Sequence, residues 1–266
     1  MKTYNEIDQS SAVRAMIIDM DGVLWRGPEP IGDLAVVFNT IKHKGLGAIL
    51  ATNNPTLTVD QYLDKLHDFG VTLNPEQVIT SAIATAQYLT DRFPQGGPVY
   101  IIGEEGVRDA LAEQDFFPSE DTALAVIVSL DRDLTYEKLL RATLLIRSGV
   151  PFIVTNPDNT LPIPGGFAPG AGSIAAAIQT ATDKEPVVIG KPQPEMYRIA
   201  LDRMGVTPGE TIVVGDRLET DIAGGQTLGC ITGVVLSGVA TLDSVKSWKQ
   251  APDYIESDLE SLVEEL

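Results

Sequence analysis

Apolar residues in this chain come in short runs that stop abruptly at polar ones, and four of these boundaries organise the whole. Ala15-Met16-Ile17-Ile18 stops at Asp19-Met20-Asp21-Gly22, and Ala48-Ile49-Leu50-Ala51 stops at Thr52-Asn53-Asn54-Pro55. Val187-Val188-Ile189-Gly190 stops at Lys191-Pro192, and Thr211-Ile212-Val213-Val214-Gly215 stops at Asp216-Arg217, with Asp221 following. Uninterrupted apolar runs predict parallel strands covered on both faces, and in open α/β sheets ligands gather just beyond the carboxyl ends of such strands. Helical spacing predicts helices over Gly32 to Lys44, Ile83 to Phe93, Glu105 to Gln114 and Thr135 to Ser148, the last with Leu140 and Leu144 on one face and Gly149 as its stop. Pro98 to Gly103, Ala123 to Val128 and Pro151 to Thr155 read as further strands. The fold expected is α/β, with a doubly wound parallel sheet as core.

Between Asp21 and Thr52 there is room for one helix, whereas the stretch from Thr52 to Lys191 is far longer than one crossover requires. A second, smaller α/β domain is therefore expected as an insert over residues 81–184, with residues 1–80 and 185–266 forming the core. Its third strand ends in Asn156-Pro157-Asp158, which reads either as a turn or as the part of the insert that touches a ligand.

The polar boundaries carry the chemistry. A period of two puts Asp19 and Asp21 on one side of the strand while Met20 points away, and Gly22 allows a sharp turn. Two carboxylates so close repel unless something positive lies between them, and a hard cation such as magnesium suits such oxygens. Taken alone, Asp-Gly after a strand is also an ordinary turn. Thr52, Asn53 and Asn54 offer a hydroxyl and two amides to an anion. Lys191 precedes a proline, which holds it out of the following helix, and Pro194 suits that helix's start.

Two acids, a hydroxyl, a lysine and two more acids, in that order, resemble the four motifs of the haloacid dehalogenase-like hydrolase superfamily, with a Rossmann-like core. Asp21 is implied to place the chain among the phosphatase branches, since the dehalogenases lack an acid there. Asn156-Pro157-Asp158, Pro169 to Ile174 and Gly215 to Ile222 resemble signatures of the large-cap branch that holds NagD-like and para-nitrophenyl phosphatase-like proteins. The resemblance implies a phosphatase of small phosphomonoesters, nucleoside monophosphates or sugar phosphates among them. Asp19 is then the nucleophile and Asp21 the general acid and base, while Thr52 and Lys191 hold phosphoryl oxygens. Magnesium is implied on Asp19, the Asp21 carbonyl and Asp216, with Asp221 behind it. Asn53, Asn54, Asn156 and Asp158 are candidate substrate contacts, and Thr160, Leu161 and Pro162 beside them carry no charge. The rival is a sensor that keeps the pocket without turnover, although a mere binder has little need of Asp21. A phospho-receiver domain would carry its acid after a third strand.

The chain's 266 residues and 44% hydrophobic content suit a two-part protein with a substantial core. The formal net charge of −18, from 19 basic and 37 acidic residues, disfavours nucleic acid and anionic membrane as partners. It repels anionic substrates too, so capture must rest on local groups: the metal, Lys191 and Arg217. Cys230 is the only cysteine and sits among apolar neighbours, which fits a buried thiol and a reducing, cytoplasmic setting. Met1 to Arg14 is polar and lacks an apolar signal core. His43 and His67 fall on helices away from the motifs, and Trp25 either lines the site or packs in the core. The family resemblance also implies a homodimer.

Overall fold

A computed structural model describes residues 13–163 and 165–266. The expectation for the N-terminal leader therefore falls largely outside the described residues, as does the side chain of Pro162. The chain divides into two compact units, residues 1–50 with 200–266 and residues 51–199. The insert expected at 81–184 lies wholly inside the second.

The first unit opens with β1 (Ala15–Ile18), every residue of which is buried. A small antiparallel hairpin follows, β2 (Trp25–Arg26) with β3 (Glu29–Pro30). Helix α1 (Leu34–His43) starts where the Asp33 side chain accepts from Val36 N–H and buries Leu34, Val37 and Ile41. Strand β4 (Gly47–Thr52) pairs parallel to β1 and carries the chain across the boundary.

In the second unit, α2 (Val59–Asp68) begins with a capping box in which Thr58 and Gln61 satisfy each other's backbone. Then come β5 (Val78–Thr80), α3 (Ser81–Thr90), β6 (Gly97–Ile102), α4 (Glu105–Ala112), β7 (Phe116–Pro118), β8 (Val126–Val128), α5 (Tyr136–Arg147) and β9 (Phe152–Val154). A hairpin of β10 (Thr160–Ile163) and β11 (Gly166–Pro169), helix α6 (Ala171–Thr182), β12 (Val187–Val188) and α7 (Glu195–Met204) complete it, α7 leading back into the first unit. Five of these strands form a parallel sheet in the order β12-β9-β8-β6-β7. Its core joins Ile102, Val128, Leu145, Ile146, Val154 and Ile178.

The run Val187-Val188 was expected simply as the strand before Lys191, and it is the edge strand of this sheet. Helices α3, α4 and α5 fall at or within three residues of their expected spans, whereas α6 had not been expected as a helix; α5 lies within Thr135 to Ser148, with Thr135 as its cap. The face it buries is another matter. Ala142, Leu145 and Ile146 are covered, while Leu140 and Leu144 are 38% and 52% exposed.

The return to the first unit runs through β13 (Thr211–Gly215), a π-helical turn at Leu218–Ile222, α8 (Ala223–Leu228), β14 (Ile231–Val235), α9 (Leu242–Ser247), β15 (Tyr254–Glu256) and α10 (Leu259–Glu265). Its strands lie parallel in the order β15-β14-β13-β1-β4. From β1 the chain moves to β4 on one side, and from β13 to β14 on the other. The sheet's topological switch thus lies between β1 and β13, the place where open α/β sheets take ligands past the carboxyl ends of their strands. No helix among the described residues is long and apolar enough to cross a membrane. Cys230 is buried, and burial pushes its thiol up to about 11.

Candidate active site

The switch point of the first unit carries the acids. Asp19 follows β1, its backbone N–H bonded to Val214 O on β13 at 2.9 Å, and Asp216 follows β13 itself. Asp221 comes round on the π-helical turn, where the N–H groups of Asp221 and Ile222 both donate to Arg217 O. Single π-helical turns recur at functional sites. Asp19, Asp216 and Asp221 are 8%, 1% and 1% exposed, and each places a carboxylate oxygen within 4.8 Å of the others.

Glycines make room for this trio. Gly215 has no space for a Cβ because Asp221 fills it, and a Cβ on Gly22 or Gly238 would run into the Asp216 carboxylate. The backbone binds that carboxylate as well, for Val239 N–H donates to Asp216 Oδ2 at 2.7 Å. Ser237 Oγ donates to Gly22 O at 2.7 Å, and the Arg26 guanidinium donates to Ser237 O. Carboxylates withdrawn from water cost about several kcal/mol each unless compensated. Three of them converging, with oxygen donors only, could hold a hard divalent cation.

Asp21 is not part of this trio. Its side chain is exposed and accepts a hydrogen bond from Trp25 Nε1 at 2.9 Å.

In the second unit Thr52, Asn53, Asn156, Asp158 and Lys191 come together. Thr52 is 1% exposed, and its Oγ1 accepts from Asn54 N–H at 3.0 Å, which leaves its own O–H to donate. Lys191, 3% exposed, donates from Nζ to Ala51 O at 2.8 Å. Asn53 Nδ2 donates to Lys191 O at 3.0 Å and, more weakly, to Asp158 Oδ1 at 3.5 Å. Asn156 is deeply buried: Nδ2 donates to Asn53 O at 2.9 Å, and Oδ1 accepts from Asp158 N–H. This amide serves the protein's own backbone. Asn54 is likewise turned inward, its Oδ1 accepting from both N–H and Oγ1 of Thr56.

Sequence reasoning passed over Ser81, whose Oγ donates to Asn53 O at 2.8 Å, and the Ser237-Gly238-Val239 segment around Asp216. The second had a signal, since an apolar run from Gly233 to Leu236 again ends in small and polar residues. Ser81, as the first residue of a helix, had none.

The sheet of the second unit has its own switch between β6 and β8. A cavity of about 490 Å³ lies there, lined by residues that include Glu104, Arg108, Asp131 and Arg132. Its charges are largely spent on one another: Arg132 pairs with Glu104 at 2.8 Å, and Lys138 with Asp131 at 2.7 Å.

Comparison with known proteins fits this geometry. The family profile described as haloacid dehalogenase-like hydrolase matches residues 16–117, and one described as HAD-hydrolase-like matches residues 188–262. An acid sugar phosphatase of Staphylococcus aureus is 37% identical over 254 residues, covering 95% of this chain and 98% of that protein. Among solved structures, a p-nitrophenyl phosphatase from Archaeoglobus fulgidus superposes with a TM-score of 0.91 at 31% identity, covering 96% of this chain and all of that one. NagD from E. coli gives 0.86 at 32% identity, covering 94% and 98%.

Proposed function

The chain belongs to the haloacid dehalogenase-like hydrolases, and we propose that within them it hydrolyses small phosphate monoesters, using magnesium and an aspartyl-phosphate on Asp19. The observation that carries this reading is the buried trio Asp19, Asp216 and Asp221 at the switch point of β1 and β13. The relatives named as acid sugar phosphatase and p-nitrophenyl phosphatase support the reaction class and suggest a sugar phosphate among the substrates.

In the proposed reaction a carboxylate oxygen of Asp19 attacks phosphorus, and the bond from phosphorus to the ester oxygen breaks. Asp21 gives that oxygen its proton, then takes one from the water that attacks the aspartyl-phosphate, so that inorganic phosphate leaves and Asp19 is restored. Thr52 donates its hydroxyl, and Lys191 its ammonium, to the phosphoryl oxygens. Asn53 holds the Lys191 carbonyl, and Asn156 holds Asn53. Asp19, Asp216 and the Asp21 carbonyl would hold magnesium, which would neutralise charge on the phosphoryl group; Asp221, beside Asp216, would bind it through water or orient Lys191. The working partner under this proposal is a small phosphorylated metabolite, not nucleic acid or membrane. The setting is the cytoplasm and the chain is a homodimer, which sedimentation reads directly.

Phosphate release from a panel of monoesters, in magnesium and in chelator, tests the proposal. Asp19→Asn is expected to abolish release, and Asp21→Asn to lower kcat by about 10²- to 10⁴-fold. Wild-type turnover by Asp19→Asn at saturating magnesium would remove Asp19 as nucleophile, and tight binding without release would replace the phosphatase by a sensor.

A further inference from the structure

We propose that Trp25 is a positioning residue for Asp21: its indole N–H fixes the carboxyl group so that one oxygen alone handles the proton passed to the leaving group. The inference rests on the proposed role of Asp21 as general acid. Asp21 lies on the exposed side of the turn after β1, where a short acidic side chain would otherwise rotate freely. Trp25 is 1% exposed and among the largest fully buried side chains. A buried indole usually finds a partner for its N–H. Here the partner is the Oδ1 of this exposed carboxyl, at 2.9 Å.

The backbone that carries the indole is held firmly. Gly22 N–H donates to Trp25 O at 2.8 Å, and Met20 O accepts from the N–H groups of Val23, Leu24 and Trp25, closing a tight loop around the acid. Trp25 then enters the β2–β3 hairpin opposite Pro30, and the neighbouring Arg26 is pinned to Ser237 O. An indole N–H only donates and does not compete for a proton. With Oδ1 occupied by that hydrogen, Oδ2 is the atom that carries the proton to the leaving oxygen and later takes one from water. Orientation of this kind matters in proportion to the help the leaving group needs.

That proportion supplies the test. p-Nitrophenyl phosphate expels an acidic phenol and needs little protonation, whereas an alkyl ester such as glycerol phosphate expels a strongly basic alkoxide. With Trp25→Phe, kcat/KM, which reports the leaving-group step and not the later hydrolysis common to both esters, is expected to fall about tenfold or more on the alkyl ester and about twofold or less on the aryl ester. In an Asp21→Asn background the same substitution is expected to add no further loss, because the group it serves is gone. Replacing Trp25 with benzothienylalanine, which keeps the bicyclic shape but has no N–H, should reproduce the pattern if Trp25→Phe perturbs packing. Equal losses on both esters, or a full extra loss in the Asp21→Asn background, would overturn the proposal in favour of a packing role. Wild-type protein that fails to turn over even the aryl ester in magnesium would instead overturn the phosphatase reading and the role of Asp21 with it.

Discussion

A single missing Cβ shows how closely the acids are fitted. Gly22 has φ of +87°, and a Cβ there would meet the Asp216 carboxylate. Gly22→Ala should therefore strain the turn and push Asp216 off its position, since a misplacement of about 1 Å can cost about 100-fold in rate. The expected outcome is a drop in kcat/KM of about that size and a raised magnesium requirement, read by titrating metal against phosphate release. Gly27 is the control. It too has a positive φ, of +60°, but nothing lies within 4 Å of its would-be Cβ. Gly27→Ala should cost about 1–2 kcal/mol of backbone strain and leave the metal requirement alone; equal effects at both glycines would refute the steric argument. The acids themselves were legible in the sequence because a carboxylate ending an apolar run is conspicuous. Gly238, which also abuts Asp216, was not, because nothing local to it reveals what folds back against it.

At the scale of elements, period told more than face. The span of α5 could be read from Thr135 and Gly149, yet apolar residues surround more than half of this helix, and the pattern alone does not say which side meets the sheet. Leu145 packs with Val128, Val154 and Ile178, whereas Tyr136, Leu140 and Leu144 form an exposed stripe. Leu145→Ala is thus expected to destabilise by about 2–5 kcal/mol, and Leu144→Ala by about 0.5 kcal/mol or less, as read by denaturant titration of the two variants. Similar costs would mean that the stripe is covered in solution. The π-helical turn escaped notice for a related reason. Helical reading assumes 3.6 residues per turn, and the wider Arg217-to-Ile222 hydrogen bond that aims Asp221 breaks that assumption. The strands β5, β7 and β15, of three residues each, lack the longer apolar runs, Ala123 to Val128 and Val150 to Val154, that gave away the equally short β8 and β9. Pairing is less local still: Val187-Val188 was visible as a strand, but its partner β9 lies over thirty residues earlier.

Over the whole molecule the charge of −18 sets a field that opposes the proposed substrate and favours the proposed cation. Salt separates the two effects. Raising ionic strength from about 10 to about 150 mM shortens the screening length from about 30 to about 8 Å. Repulsion of a phosphate dianion by distant carboxylates should fade, while contacts such as those of Thr52 and Lys191, made at hydrogen-bond range, are little screened. KM for an anionic phosphomonoester is therefore expected to fall as salt rises, with kcat nearly constant. Magnesium should behave in the opposite way, its half-saturating concentration climbing as the field that gathers it is screened. Steady-state kinetics with each ligand varied in turn, and an inert monovalent salt, measure both trends. A KM that rises with salt would mean that local cations, Arg217 among them, govern the approach of the substrate in spite of the net charge. Parallel trends for the two ligands would point to a general salt effect on the protein, because a field of one sign acts on opposite charges in opposite directions.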